Sequence, residues 1–156
     1  MKKIQKIMFA SDFSDASREA KDAALAFCLQ MNAELHVVHV FDLSSLQMPS
    51  PYYFLPGVDT WLDDQIDVVR NNGKTMLDQL VEEIEQKVYP HFVEGKPGVE
   101  IVRASLDHAI DMIVLGTHGY TGLNRLIMGS VAEYVVRNAK CPVLIVKPED
   151  HKGESE

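Results

Sequence analysis

The chain has 156 residues, of which 46% are hydrophobic and 24% are charged. These values are typical of one globular domain with a sizeable core. The formal net charge of −8 argues against nonspecific binding to nucleic acid or to an anionic membrane surface. No segment approaches the roughly 18 consecutive apolar residues of a spanning helix, and the first apolar run is too short for a signal peptide. We therefore expect a cytoplasmic protein that neither inserts into a membrane nor binds nucleic acid.

The N-terminal part of the chain predicts a βαβ unit. An apolar strand at 4–10 and a second strand at 34–41, rich in β-branched residues, flank an alanine-rich segment with helical periodicity at 14–31. Ser14 is the predicted N-cap of that helix. The short connection between the two strands predicts a parallel pair with a right-handed crossover.

Residues 42–58 lose this periodicity and contain three prolines and the aromatic residues Tyr52, Tyr53 and Phe54. A long connection of this kind inside a compact domain usually forms a lid, a surface for a protein partner or a disordered segment. The alternative is an aromatic loop folded over the edge of its own core. An unidentified protein partner is therefore one of the interpretations that this loop allows.

The C-terminal part alternates further helices with strands. Apolar periodicity predicts helices over 60–88, 99–108 and 130–139, and strands at 92–93, 112–115 and 143–147. Asn71-Asn72-Gly73 weakens the first of these helices, and Gly95-Lys96-Pro97-Gly98 predicts a turn. The alternation predicts an α/β fold: an open, doubly wound, five-stranded parallel sheet with helices on both faces, as in Rossmann-like domains. We expect a single domain at 1–148 and a frayed polar tail at 149–156.

The stretch from Gly116 to Ser130 predicts a phosphate-binding loop. It follows the strand at 112–115, leads into the helix at 130–139 and contains glycines at 116, 119, 122 and 129. Glycines let the backbone turn tightly and approach a ligand without interference from a Cβ. Gly129 and Ser130 lie where the helix N-terminus presents unpaired N–H groups, and Ser130 is a candidate N-cap.

The charge pattern of this stretch also favours an anion. No Asp or Glu occurs between Asp111 and Glu133, although the chain carries 23 acidic residues. Arg125 is the only residue between them with a formal charge. A phosphate bound there would therefore meet no carboxylate from its own loop.

The glycine spacing, Gly116-x-x-Gly119, nine residues, then Gly129-Ser130, resembles the nucleotide-binding signature of the universal stress protein family. Residues 7–14, 111–119 and 141–146 are also similar to segments of that family, and the resemblance covers about residues 2–148. It implies the strand order 3-2-1-4-5. That order places a ligand site beyond the carboxyl ends of strands 1 and 4.

The resemblance also implies a ligand and an assembly. The ligand is ATP, or ADP or AMP, carried with Mg²⁺ or Mn²⁺ bound through the phosphates. The implied assembly is a homodimer that pairs through the last strand, at Val143, Leu144, Ile145 and Val146.

Ten residues are predicted to bind the nucleotide, and the resemblance implies most of them. Asp12 would contact the ribose or the base, and Val40 would frame the adenine near Ala10, where the family often has proline. Gly116, Gly119, Gly129 and Ser130 would bind phosphate and ribose. Apart from the resemblance, Val131 can add a backbone N–H, and His118 and Arg125 can either neutralise phosphates or be ordinary surface residues. Structural alternatives exist: Asp12 can order the turn into the first helix, Val40 can belong to the core, and the glycines can form an empty connection.

Other chemical motifs are incomplete. Gly73-Lys74-Thr75 lacks the first glycine and the preceding strand of a P-loop, and no G-x-G-x-x-G pattern follows the first strand. His36 and His39 lie on opposite faces of one strand, and Cys28 and Cys141 have no metal-binding spacing, so we expect no dedicated metal ligands. No group of nucleophile, base and orienting residue can be recognised.

The resemblance implies an ATP-binding regulatory or signalling module in stress response, and the missing catalytic groups predict at most weak ATP hydrolysis. One alternative is a slow ATPase or phosphotransferase on the same site, although the glycine loop supplies no carboxylate for a metal and no base. The other alternative is an adaptor protein with an empty pocket.

Overall fold

The computed structural model of the protein describes residues 3–46, 57–117 and 128–148. Its strands and helices are β1 Lys6–Ala10, α1 Asp15–Met31, β2 Glu34–Phe41, α2 Val58–Glu82, β3 Val88–Glu94, α3 Pro97–Asp107, β4 Met112–Gly116, α4 Ser130–Asn138 and β5 Val143–Val146. A short 3-10 helix, Leu43–Ser45, follows β2. The aromatic residues of the predicted loop, Tyr52, Tyr53 and Phe54, and the predicted tail at 149–156 lie outside the described residues.

The five strands form one parallel sheet in the order β3-β2-β1-β4-β5. β1 lies at the centre, where Met8 pairs with His36 of β2 and with Ile113 of β4. Because helices cover both faces of such a sheet, its central strands are almost continuously apolar. The predicted fold class and strand order are confirmed.

The core lies in two layers, one on each face of the sheet. Successive side chains of a strand point to opposite faces, so Ile7 and Phe9 pack in the layer of α1 and α2, whereas Met8 packs in the layer of α3 and α4. Ala20 and Ala24 of α1 are fully buried, and their small size lets the helix lie close to the sheet. Thus α1 and α4 cover opposite faces.

The predicted N-terminus of α1 is confirmed. Ser14 has extended backbone angles, and its side chain accepts a hydrogen bond from the Ser17 N–H over 3.3 Å, which satisfies one of the free N–H groups of the first turn. The helix ends at Asn32, which takes the left-handed conformation with a φ of 52°. Asparagine is the residue that tolerates this conformation best after glycine.

The predicted helix at 60–88 is wrong at its C-terminal end. α2 ends at Glu82, and the chain then enters β3, which is a strand of 7 residues and not the predicted short strand at 92–93. Tertiary pairing decides the outcome, since residues 35–41 of β2 pair in register with residues 88–94 and bond the backbone groups on that side of the segment. Pro90 is accommodated because β3 is an edge strand.

Two glycines of the helices are explained by packing. α2 runs through Gly73 without interruption, and a Cβ there would lie 3.2 Å from Cε2 of Phe92 and 3.5 Å from Nε2 of His39. A Cβ on Gly98 would lie 2.8 Å from Cδ1 of Tyr134, so α3 and α4 meet closely at this residue. The predicted turn at 95–98 is wrong in its second half, because α3 already begins at Pro97. Proline is favoured in the first turn of a helix.

Within residues 3–46, 57–117 and 128–148, no helix combines the length and the apolar character that a membrane span requires.

Candidate functional site

A cleft of about 360 Å³ lies at the carboxyl ends of β1, β2 and β4. Here β1 continues into α1 on one face of the sheet, while β4 leads towards α4 on the other face. Doubly wound sheets bind ligands at such a switch point. Seven predicted site residues line the cleft, namely Ala10, Asp12, Val40, Gly116, Gly129, Ser130 and Val131. The other three, His118, Gly119 and Arg125, lie outside the described residues.

Sequence reasoning missed nine further lining residues. They are Ser11, Ser17, Val38, Asp42, Pro97, Ile101, Leu115, Thr117 and Ala132. Two of them carried a signal that could have found them, since Thr117 directly follows Gly116, and Asp42 follows β2 as Asp12 follows β1. Apolar members such as Ile101 reach the cleft through the packing of helices on the sheet, which no local pattern reveals.

Asp12 takes part in the turn between β1 and α1. Its Oδ1 accepts hydrogen bonds from the Ser14 N–H over 3.0 Å and from the Ser14 hydroxyl over 2.5 Å. The same Ser14 hydroxyl caps α1 by accepting from Ser17 N. Asp12 therefore orders the turn, as the structural alternative expected, and it lines the cleft as well.

The loop after β1 contains a strained residue. Phe13 has a φ of 63°, a left-handed conformation that costs a bulky residue on the order of 1–3 kcal/mol. The Ser11 hydroxyl accepts from Phe13 N over 3.2 Å and lies 3.0 Å from the Ser17 hydroxyl, and Ser11 N donates to the Val38 carbonyl over 2.9 Å. Three elements, β2, the loop and α1, thus fix this wall of the cleft.

The opposite wall is the N-terminus of α4. Gly129 is its N-cap, with φ −63° and ψ 157° and no side-chain capping hydrogen bond. The prediction of Ser130 as N-cap is wrong, because Ser130 is already helical and the extended backbone of Gly129 precedes it. The first hydrogen bond of the helix runs from Glu133 N to the Gly129 carbonyl over 2.9 Å. The N–H groups that precede Glu133 in the helix therefore have no intrahelical partners. Their partial positive charge faces the side of the cleft that Gly129, Ser130 and Val131 line.

The ends of the glycine loop are joined to each other and to β5. Gly129 N donates to the Thr117 carbonyl over 2.7 Å, and Thr117 N donates to the Val146 carbonyl over 3.1 Å. Residues 117 and 129 are therefore neighbours, and both lie in the wall of the cleft. The position of the α4 N-terminus relative to β4 is set by main-chain bonds.

The charge of the cleft differs from that of its loop. Two carboxylates, those of Asp12 and Asp42, line it, and the described part of the lining has no Lys, Arg or His. Asp42 Oδ1 also accepts from Ser44 N over 2.9 Å at the start of the 3-10 helix. No group of three or more His, Cys, Asp or Glu able to hold a metal occurs in the described ranges. An anion would therefore depend on N–H groups, and two carboxylates could face a cation that it carries.

A histidine cluster lies at the other end of β2, where sequence reasoning did not expect one. Nδ1 of His36 is 2.9 Å from Nε2 of His91 in β3, and the rings of His91 and His108 stack with centroids 4.0 Å apart. Burial lowers the pKa of His91 to about 4, and the neighbouring His108 and His36 act in the same direction. Burial, followed by Lys6, lowers the pKa of His36, while Glu34 opposes the change. His36 and His91 are therefore neutral at neutral pH.

Comparison with known proteins agrees with this architecture. The family model described as "Universal stress protein family" matches residues 3–147. Universal stress protein MJ0531 of Methanocaldococcus jannaschii is 36% identical, over 92% of this chain and 82% of that protein. Universal stress protein MJ0577 of the same organism is 30% identical, over 92% of this chain and 94% of that protein.

Solved structures share the fold. A structure of MJ0577 superposes with a TM-score of 0.80 at 28% identity and covers 96% of this chain and 99% of that chain. A universal stress protein in complex with cAMP superposes with a TM-score of 0.66 at 22% identity, over 93% of this chain and 98% of that chain. The second likeness is one of fold alone. With the family model spanning nearly the whole described chain, the protein belongs to the universal stress protein family.

Proposed function

We propose that this universal stress protein binds an adenine nucleotide, ATP or else ADP or AMP, in the cleft between β1 and β4, and acts as a nucleotide-responsive regulatory module. The observation that carries the proposal is the α4 N-terminus, which opens on the cleft without a side-chain cap. Free N–H groups at a helix N-terminus bind phosphate by hydrogen bonds and by the helix dipole.

The two walls of the cleft suit the two ends of a nucleotide. Ala10 and Val40, at the ends of β1 and β2, give an apolar surface for the adenine, and Asp12 beside them offers a carboxylate to a ribose hydroxyl. Gly129, Ser130 and Val131 lie on the phosphate side. Gly119 of the glycine signature would complete that side, and His118 and Arg125 would neutralise the phosphates. The universal stress protein solved with cAMP shares this fold and holds an adenine nucleotide.

A divalent cation fits the charge of the site. The carboxylates of Asp12 and Asp42 line the same cleft as the phosphate side, and carboxylate oxygens are the ligands that Mg²⁺ and Mn²⁺ accept. Since the described residues offer no cage of three ligands, the cation would be held mainly by the phosphates. It would offset repulsion between the phosphates and the two carboxylates.

Dimerisation and cellular location belong to the same proposal. β5 is an edge strand, and its four residues are half-buried in the single chain. We propose that it pairs with β5 of a second copy, because an apolar edge with unpaired backbone groups favours association. The single domain at 1–148 and the cytoplasmic location stay predictions.

Two measurements test the proposed function. Mass spectrometry of the small molecules that co-purify with the protein identifies the nucleotide, and calorimetric titration compares Mg·ATP with Mg·GTP. We expect binding of Mg·ATP and much weaker binding of Mg·GTP, because an apolar adenine pocket does not satisfy the polar groups of guanine. Absence of nucleotide in both measurements would favour the adaptor alternative.

A further inference from the structure

We infer that His39 is a positioning residue for the nucleotide site, because it holds the segment Ser11–Phe13 and thereby places Asp12 at the cleft. The inference rests on the proposed function, since it concerns the same site. Val38 and Val40 line the cleft from one face of β2, and His39, between them, points to the other face. His39 therefore does not line the cleft itself and can affect a ligand only through the residues that do.

A hydrogen bond joins His39 to the residue before Asp12. Nδ1 of His39 lies 2.9 Å from the carbonyl oxygen of Ser11. A carbonyl oxygen can only accept, so Nδ1 must carry a proton, and in the neutral ring Nε2 is then the unprotonated nitrogen. The Ser11 carbonyl and the Asp12 N–H belong to one planar peptide unit. This hydrogen bond consequently fixes the orientation of the peptide plane between Ser11 and Asp12, and with it the backbone direction at Asp12.

A ring contact joins His39 to the residue after Asp12. Its ring and that of Phe13 have centroids 4.3 Å apart. Phe13 keeps its left-handed φ of 63° only because the surroundings hold it there. His39 therefore contacts the loop on both sides of Asp12, by a hydrogen bond before it and by a ring after it.

The imidazole is itself held by α2 and β3. The ring of Phe92 has its centroid 5.8 Å from that of His39, and a Cβ on Gly73 would lie 3.5 Å from His39 Nε2. Burial lowers the pKa of His39, against the opposing effects of the Ser11 carbonyl and the Asp12 carboxylate. At neutral pH the ring is thus a neutral donor, and its hold on the loop does not depend on an ion pair with Asp12.

Calorimetric titration with Mg·ATP tests this assignment in the full chain. His39→Leu removes the donor at similar volume, and His39→Asn places an amide N–H where Nδ1 lies. We expect binding weakened about two- to tenfold in His39→Leu, the loss of one hydrogen bond, and recovery of most of that loss in His39→Asn. His36→Leu is the matched control, because His36 is a buried histidine of the same strand that faces His91 and not the loop.

Two further variants test whether His39 acts by placing Asp12: Asp12→Ala, and the double variant that combines Asp12→Ala with His39→Leu. If His39 acts by placing Asp12, the double variant binds no more weakly than Asp12→Ala alone. Parental affinity in folded His39→Leu, no recovery in His39→Asn, or losses that add in the double variant would overturn the assignment of His39. A parent protein that binds no Mg·ATP would instead overturn the proposed function, and this inference with it.

A measurement on the parent protein covers the case in which His39→Leu does not fold. Nitrogen-15 NMR of the imidazole distinguishes the two neutral tautomers. We expect the Nδ1–H form for His39, since that nitrogen faces the Ser11 carbonyl. An Nε2–H form would overturn the assignment.

Discussion

Gly116 faces the backbone of Ala16 so closely that a Cβ at position 116 would lie 3.1 Å from the Ala16 carbonyl oxygen. The end of β4 and the first turn of α1 therefore touch directly beside the cleft. This glycine was predicted as a phosphate-binding residue, and the structure supplies a packing reason for it that applies with or without a ligand.

The contact predicts that Gly116→Ala destabilises the protein by about 1–3 kcal/mol, since the neighbouring atom is backbone and cannot rotate away. Chemical denaturation measures the change in the free energy of unfolding. Gly73→Ala is the matched control: its Cβ would lie almost equally close, 3.2 Å, but to the edge of the Phe92 ring, a side chain that can shift. Because alanine also gains about 1 kcal/mol of helix propensity, we expect a smaller loss of stability in this variant. Equal stability of Gly116→Ala and the parent would show that this contact is not tight.

The histidine cluster predicts a loss of stability in mild acid. The pKa of His91 is about 4 in the folded protein against an ordinary value of 6.5, so the unfolded chain binds the proton more readily. The stabilisation by neutral His91 is complete above pH 6.5 and is lost as the pH falls from 6.5 towards 4. We expect this residue to account for about 1–2 kcal/mol of the loss, less than the full pKa shift corresponds to, because solvent screens a partly exposed group.

Denaturation curves of the parent and His91→Gln between pH 7 and pH 4 measure this contribution. Carboxylates titrate in the same range, so the informative quantity is the difference between the two proteins. The variant should start less stable and lose less stability on acidification. If the stability of the two proteins fell in parallel with pH, the pKa of His91 would not be lowered in the folded protein.

The edge position of β5 predicts that a charge on this strand prevents dimerisation. Leu144→Lys or Ile145→Lys should sediment as a monomer where the parent sediments as a dimer, because a lysine at a strand edge opposes pairing. Pro90→Lys on the opposite edge strand, β3, is the control and should leave the dimer intact. Dimers of unchanged stability in folded Leu144→Lys and Ile145→Lys would exclude this surface.

The cleft predicts slow or absent turnover of ATP. Its described lining holds the carboxylates of Asp12 and Asp42 but no Lys, Arg or His, and Asp12 Oδ1 already accepts from the Ser14 hydroxyl. Phosphoryl transfer normally requires a positioned base or water-orienting group. An ATPase assay should give less than about 1 turnover per second. Faster hydrolysis that disappears in Asp12→Asn would support the phosphotransferase alternative.

The fold and much of the cleft could be predicted because their signals are local. The strand that ends at Gly116, the glycine spacing and the helix that begins at Ser130 are contiguous. Asp12 follows the apolar strand β1, and Val40 lies near the end of β2. Prediction from the sequence failed where contacts between distant residues determine the structure. Pairing with β2 turns residues 88–94 into a strand, and His36 meets His91 across 55 positions of the chain. The role of His39 is likewise hidden in the sequence, because its contact with Ser11 exists only once β1 and β2 are paired.

Nucleotide binding by Gly129→Val tests the central claim most directly. Gly129 has φ −63° and ψ 157°, angles that valine adopts readily, so the substitution fills the space at the α4 N-terminus without straining the backbone. Ser130→Ala should weaken binding by only about 1 kcal/mol, and Gly122→Ala, outside the glycine signature, should bind nearly as the parent does. In a calorimetric titration with Mg·ATP, run beside circular dichroism to confirm folding, we expect no detectable binding by Gly129→Val. A folded Gly129→Val variant that binds Mg·ATP as tightly as the parent would contradict the account, because the phosphates would then lie elsewhere.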